Sequence, residues 1–241
     1  MIPAPDIGHV YPKTGLDADI RFDTTPRFVS AGSCYFDGDS GKVTVSAAAG
    51  INGLFGSGGT IACWIKPASD GEGGGGRLVE SGTGGYFFFC TSESGSACKL
   101  YFNHHWDGDD GSWTTDATEL KYGAWIHVAV TYNGGSTGNA PIIYIDGRAV
   151  AITEGDTPTG TINADTADKI IGNASADHRT FHGNICNFGM WKGTILTQAQ
   201  IREVMAATSY AAVQAVVQPT AYYLFSADGD DSTGNYDGAL A

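Results

Sequence analysis

The feature that most constrains this chain is a succession of short apolar runs, none longer than about eight residues, in which side-chain character alternates. The runs are SCYFD (33–37), KVTVS (42–46), TIACWIK (60–66), RLVES (77–81), YFFFCT (86–91), KLYFN (99–103), WIHVAVTY (125–132), IIYID (142–146), RAVAI (148–152), KIIG (169–172) and ICNFGMW (185–191). A period of two places successive side chains on opposite faces of a strand. In WIHVAVTY, Trp125, His127, Ala129 and Thr131 point one way, while Ile126, Val128, Val130 and Tyr132 point the other. IIYID and RAVAI flank Asp146-Gly147, whose residue types supply the positive φ of a two-residue hairpin turn. Glycine, at 35 of 241 residues, is about twice as frequent as usual, and charged residues are only 16%. That balance favours turns over long surface helices. No apolar run approaches the ~18 residues of a membrane span. The pattern predicts an all-β fold, a two-sheet antiparallel sandwich or jelly roll.

The ends of the chain depart from this pattern. Residues 1–28 carry Pro3, Pro5, Pro12 and Pro26 and little periodicity beyond a short strand at 18–22, so they read as an extended N-terminal arm ahead of a domain over 29–241. Prolines disfavour a central strand, yet Ile2, Ile7, Val10, Tyr11, Leu16, Ile20 and Phe22 are spaced along the arm. Such a segment is expected to dock on other protein chains of an assembly. Near the C-terminus, Thr197 is an N-cap for a helix over 198–207, and a weaker helical stretch covers 211–217, stopping before Pro219. A strand, AYYLF (221–225), and a turn-rich tail follow. The first residues are polar and proline-bearing, without the apolar stretch of a secretory leader, and lead to the expectation of a chain made and kept inside a cell or one whose leader has been removed.

Thirteen Lys and Arg oppose 26 Asp and Glu, for a net charge of −13, and the basic residues are scattered. Nucleic acid and anionic membrane are poor partners for such a surface. Aspartate far outnumbers glutamate and sits beside Gly, Ser and Asn, where its short side chain bonds the local backbone in turns. Of the five cysteines, Cys34, Cys63, Cys90 and Cys186 lie in strand-like runs and read as small core residues. The alternative is a Cys90–Cys98 staple across a hairpin. GEGGGG (71–76) reads as a mobile loop tip.

The ordered set YFDG…VTV, TIACWIKP, WIHVAVTY, IYIDGRAV and IIGN…FHGNICNFGMWKGTILTQAQI, from about Ser33 to Ala207, resembles the laminin-G-like (concanavalin A-like) jelly-roll domains. The tail AYYLFSADGDDSTGNYDG resembles the segment that usually opens such domains, here displaced to the C-terminus as in a permuted or strand-exchanged arrangement. The resemblance implies two curved antiparallel sheets with ligands on the concave face or the loop rim. Glycine-rich, acidic domains of this kind also resemble proteins on phage and virus particles.

Function must come from sites, because this fold hosts several functions. Retaining glucanases of this fold carry two carboxylates on one strand face, ~5 Å apart. The glutamates here, Glu72, Glu80, Glu93, Glu119, Glu154 and Glu203, form no such pair, and no run carries two acids in alternation. Gly134-Gly135-Ser136-Thr137-Gly138 satisfies G-x-S-x-G but lies between two strands, whereas a nucleophile elbow needs a strand-to-helix turn. Gly71, Gly73 and Gly76 match a phosphate-binding spacing with no helix behind them. His178 and His182 are four apart in loop-like sequence, a poor zinc pair, and His127 reads as a packed structural histidine.

Two sets remain. The stretch from Asn103 to Trp113, with His105, Trp106, Asp107 and Asp109, reads as a long loop placing two indoles among amides and carboxylates, a candidate glycan site. The other reading has Trp106 and Trp113 anchoring that loop, while Trp64, Trp125 and Trp191 are core. Asp228, Asp230 and Asp231 open a candidate calcium loop, although Ala239 occupies the twelfth position where a glutamate is required; solvated turn acids are the alternative. A calcium ligand usual in related domains is also missing, since Cys186 follows Gly183-Asn184-Ile185.

The expected function is a non-catalytic binding or structural module at the surface of a phage-like or viral particle, a decoration or fibre protein that meets other protein chains and cell-surface glycans. The alternatives are a lectin-like adhesin module, extracellular or on a cell surface, and a carbohydrate-active enzyme. The missing carboxylate pair predicts no hydrolysis of β-glucan or galactan, measured as reducing-sugar release. Turnover abolished by mutating any single acid would contradict it.

Overall fold

The computed structural model describes residues 21–23, 32–82 and 84–241. Its strands are β1 (Arg21–Asp23), β2 (Ser33–Asp37), β3 (Val43–Val45), β4 (Gly59–Pro67), β5 (Arg77–Glu80), β6 (Tyr86–Ser94), β7 (Ala97–His104), β8 (Gly111–Thr115) and β9 (Leu120–Lys121). They continue as β10 (Ile126–Tyr132), β11 (Ile142–Ile145), β12 (Arg148–Ala149), β13 (Ile152–Glu154), β14 (Lys169–Ile171) and β15 (His182–Lys192). Helices α1 (Gln198–Ala206) and α2 (Tyr210–Val216) precede β16 (Ala221–Tyr223) and β17 (Gly238–Leu240). An eight-stranded sheet runs β1-β2-β15-β4-β10-β11-β12, with β16 also on β15; a nine-stranded sheet runs β13-β8-β7-β6-β5-β14-β3-β17, with β9 also on β7. Every pairing between named strands is antiparallel. The two sheets form the expected sandwich.

Alternation sets the core. From the first sheet Ile61, Cys63, Ile65, Val128, Val130 and Ile143 face inward and meet Leu78, Tyr86, Phe88, Leu100 and Phe102 of the second. In β15 the register shifts between Cys186 and Gly189, and Asn187 adopts φ 51°. This bulge inserts one residue and keeps Phe188 and Met190 in the core on the face begun by Ile185. It also divides one edge of β15: its first half pairs with β2, and its second half pairs with β16 of the tail. The tail therefore completes the chain's own sheets, with β17 on β3. Of the arm expected over 1–28, only β1 is described; it pairs with the same chain's β2, and the rest lies outside the described residues.

The outward face of the first sheet is covered. Ala62, Ala129, Tyr144, Trp191 and Tyr222 pack under Leu196, Ile201, Val204 and Val213 of α1, α2 and their lead-in. Thr197 caps α1 in a reciprocal capping box with Gln200, and Ser209 caps α2. A Cβ on Gly189 would collide with the rings of Trp191 and Tyr222. Its absence lets Trp191 lie along the sheet and donate from Nε1 to the Val217 carbonyl, 2.9 Å.

Several expectations need correction. RAVAI is not one strand: Arg148 and Ala149 pair with β11 in the first sheet, while Ile152–Glu154 pairs with β8 in the second. Alternation suits either sheet, so the crossing leaves no trace in the pattern. The hairpin turn itself holds, with Asp146 at φ 48° and Gly147 at φ 69°. GEGGGG forms a bonded turn: Glu72 N–H donates to the Thr180 carbonyl (2.9 Å), and the Glu72 carboxylate accepts from Thr180 N–H (3.0 Å) and hydroxyl (3.1 Å). All five cysteines are free thiols in the core, Cys90 and Cys98 included. A hydrogen bond with Cys98, together with burial, pushes the Cys90 thiol pKa up.

One buried ion pair joins three segments of the sandwich. Lys169 is 0% exposed and Asp165 1%. Lys169 Nζ donates to Asp165 Oδ1 (2.7 Å), the Ala167 carbonyl (2.7 Å) and Asn52 Oδ1 (3.3 Å), while the same carboxylate accepts from the Ser81 hydroxyl. Removing the cation strands a carboxylate in the core, so Lys169→Met is expected to destabilise the fold by about 3–5 kcal/mol in chemical denaturation. An unchanged midpoint would show that the pair is dispensable.

Candidate functional site

Among the described residues no α-helix covers the outward face of the nine-stranded sheet, and there the sequence departs from the usual polar composition of a solvated face. In β6, Tyr86, Phe88 and Cys90 are buried, so alternation turns Phe87 and Phe89 outward. The register then aligns one row across five strands: Arg77 (β5), Phe89 (β6), Tyr101 (β7), Thr114 (β8) and Thr153 (β13). At ~4.8 Å between strands this row is about 19 Å long. A second row beside it runs Thr44, Ile170, Glu80, Phe87, Asn103 and Ser112. Phe87, Phe89 and Tyr101 are each half-buried.

These groups are locked together. The Arg77 guanidinium lies 4.5 Å from the Phe87 centroid and 4.0 Å from that of Phe89, a double cation–π contact. Phe89 packs against Tyr101 at 4.5 Å, and Phe87 meets His105 edge-on at 4.9 Å. Arg77 Nε donates to Glu80 Oε2 (3.2 Å), and Glu80 Oε1 accepts from the Ser175 amide (3.0 Å) and hydroxyl (2.8 Å). Burial lowers the Arg77 pKa, an effect that the bond to Glu80 opposes. A cleft of about 390 Å³ continues the face, lined by Lys42, Thr44, Gly82, Ala167, Asp168, Ile170 and Ser175. A fixed aromatic and guanidinium surface flanked by hydroxyls can stack on a flat apolar ring face and hydrogen-bond its polar edge.

The loop expected to bind glycan is built differently. Residues 111–115 form strand β8, and Trp113 points inward, 2% exposed, stacked on Phe102 at 6.2 Å and beside Tyr132 at 5.3 Å. Trp106 is 5% exposed and bridges to Ile162. Both indoles anchor the loop; neither offers a free ring face. The acids are spent on this loop and its neighbour. Asp107 accepts from Thr161 N–H (2.5 Å), Asp109 from the Thr159 hydroxyl (3.1 Å), and Asp110 from Trp106 N–H (3.0 Å) while facing His105 Nδ1 (2.6 Å). Of the expected set, only Asn103 and His105 border the aromatic rows. YFFFCT held the missed signal: strict alternation of three consecutive phenylalanines must send at least one to the outer face.

The remaining candidates are structural. Asp231 does not face a metal: its carboxylate accepts from the amides of Tyr222 (2.7 Å), Thr233 (3.0 Å), Asn235 (3.3 Å) and Tyr236 (3.1 Å) and from the Thr233 hydroxyl. Asp228 Oδ1 accepts from Asp230 N–H at 3.3 Å. Among the described residues, no three His, Cys, Asp or Glu gather as a metal-binding group, and the Asp231 carboxylate, taken up by these protein donors, does not fit a calcium ligand. His127 is buried beside Trp64 (5.3 Å), and burial lowers its pKa to about 3; burial also lowers that of His104 to about 4. Trp64 and Trp125 are half-buried rather than core, and Trp191 is buried beneath the helices.

A family profile for the concanavalin A-like lectin/glucanases superfamily matches residues 37–202. No curated protein sequence matches the chain. Among solved structures, a protein of Bacteroides ovatus described as carbohydrate binding superimposes with a TM-score of 0.59 at 19% identity, over 83% of this chain and 55% of that one. The enzymatically active domain of tailspike protein 2 of bacteriophage CBA120 superimposes with a TM-score of 0.55 at 13% identity, over 89% of this chain and 34% of that one. The chain thus spans about half the first and a third of the second, and at these identities the likeness is one of fold.

Burial of both indoles predicts that Trp113→Ala destabilises the sandwich by about 3–5 kcal/mol in urea titration. A variant as stable as the parent would return Trp113 to the surface.

Proposed function

The chain belongs to the concanavalin A-like lectin/glucanases superfamily, and from that premise we propose a non-catalytic carbohydrate-binding module whose glycan lies across the face of the nine-stranded sheet that no described α-helix covers. The observation that carries this reading is the transverse row Arg77–Phe89–Tyr101–Thr114–Thr153. Apolar rings on a solvated face cost hydration unless something covers them. Here they are held rigid by cross-strand contacts, so little ordering entropy is lost when a ligand arrives. The flat C–H face of a sugar ring suits Tyr101 and Phe89, while Thr114, Thr153 and the Arg77 guanidinium meet its hydroxyls. Glu80, the glutamate of these rows, is committed to Arg77 and Ser175.

We further propose that the module sits on the outside of a phage-like or viral particle, presenting this face to cell-surface glycans. The fold shared with a bacteriophage tailspike supports that placement. A net charge of −13 disfavours adhesion to nucleic acid, and no helix among the described residues is long and apolar enough to cross a membrane.

Affinity electrophoresis against a panel of neutral and acidic polysaccharides tests the site. Tyr101→Ala and Phe89→Ala are each expected to weaken retention about tenfold, ~1.4 kcal/mol, relative to a folded parent. Retention unchanged in the double variant would remove the platform from the account.

A further inference from the structure

Resting on the carbohydrate reading above, we infer that the glycan recognised on this face is an acidic one, whose carboxylate or sulfate group is held between Arg77 and Arg179 beside Gly75. A Cβ placed on Gly75 would lie 3.8 Å from Arg77 Nη1, 3.8 Å from Arg179 Nε and 3.5 Å from Arg179 Cδ, with nothing closer. Two guanidinium groups from distant parts of the chain thus border one small space. The glycines make that space: a side chain on Gly73, itself at φ 59°, would collide with Arg179 Nη1. What reads in the sequence as a low-complexity tip is the backbone cradle of an arginine pair.

The charges around it are unequal. Arg77 has one carboxylate partner, Glu80. Arg179 donates from Nη1 to the Gly73 carbonyl (3.0 Å) and has no carboxylate within 4.0 Å among the described residues. The nearby acids are engaged elsewhere, Glu72 with Thr180 and Asp70 with Glu93 N–H at 3.3 Å. The like charge of Arg179 adds to burial in lowering the Arg77 pKa, which places the two cations within electrostatic reach. A planar carboxylate or a sulfate matches the fork of a guanidinium, and its charge would offset the repulsion between the two. Arg77 is itself stacked on Phe87 and Phe89, so the anion pocket and the stacking rows form one surface. The protein as a whole repels polyanions at −13, so retention of an acidic polymer reports a local site and not bulk attraction.

The test compares polygalacturonate with galactan, and dextran sulfate with dextran, in affinity gels at 50 and 200 mM salt. The variants are Arg179→Gln, which removes the unpaired cation, and Gly75→Val, whose branched side chain fills the space against both arginines while leaving both charges in place. Each is checked for parental melting. The expected result is at least tenfold stronger retention of an acidic polymer than of its neutral counterpart, weakened by salt and lost in both variants. Retention of polygalacturonate alone assigns a carboxylate, and retention of dextran sulfate alone a sulfate. Neutral polymers held as well as acidic ones, or acidic retention undisturbed in both variants, overturns the anion assignment while leaving the stacking platform in place. A parent protein that retains none of the four overturns the platform reading with it.

Discussion

A two-sheet sandwich has four faces and one core, so two faces are buried by construction and two must be reconciled with water. This chain treats its two outer faces in opposite ways. Over the first sheet, small residues such as Ala62, Ala129 and Gly189 let Tyr144, Trp191 and Tyr222 lie flat, and two short capped helices close over them. Over the second sheet no α-helix among the described residues is laid down. Its outward positions instead carry hydroxyls and rings, with Arg77 drawn across Phe87 and Phe89 so that part of their apolar area is shielded by a cation. This asymmetry underlies the proposal that ligand meets the second sheet.

The acidic side chains serve the frame more than any ligand. Asp107 and Asp109 splice the loop after β7 to the loop after β13, Asp110 ties the first of these loops to itself through Trp106 and His105, Asp231 collects the amides of the tail, and Asp165 with Lys169 joins three segments inside the core. Asp107, Asp110 and Asp231 satisfy backbone donors that a glycine-rich, loop-heavy chain would otherwise leave unpaired. The negative net charge therefore arises largely as a by-product of turn construction. It also makes a cation without a carboxylate partner conspicuous, as the half-buried Arg179 is.

Much of the fold could be read from alternation because period two is a direct consequence of strand geometry. The runs at 33–37, 60–66 and 125–132 match β2, β4 and β10 within a residue at each end, and Thr197 correctly marks α1. Alternation does not say which sheet a strand joins, and so RAVAI reads as one strand although it crosses between sheets. Composition misled at SWTT, where a tryptophan flanked by Asp, Gly, Ser and Thr suggested an exposed loop but is the inward residue of β8. The site was concealed in the opposite way. YFFFCT has the composition of a core, and only its register against Arg77 and Tyr101, a property of the assembled sheet, shows that two of its phenylalanines face out.

The central claim is that ligand meets the outward rows of the nine-stranded sheet and not the loop rim or the helical side. The most direct measurement is a map of backbone amide shifts in a ¹H–¹⁵N spectrum as a short oligogalacturonate is added. The account predicts that shifts concentrate at Arg77, Phe87, Phe89, Tyr101 and Thr114, with Gly75 and Arg179 beside them. Shifts centred on Asp107–Asp110 and Thr159–Thr161, or on α1 and α2, or no shifts at all, would contradict it.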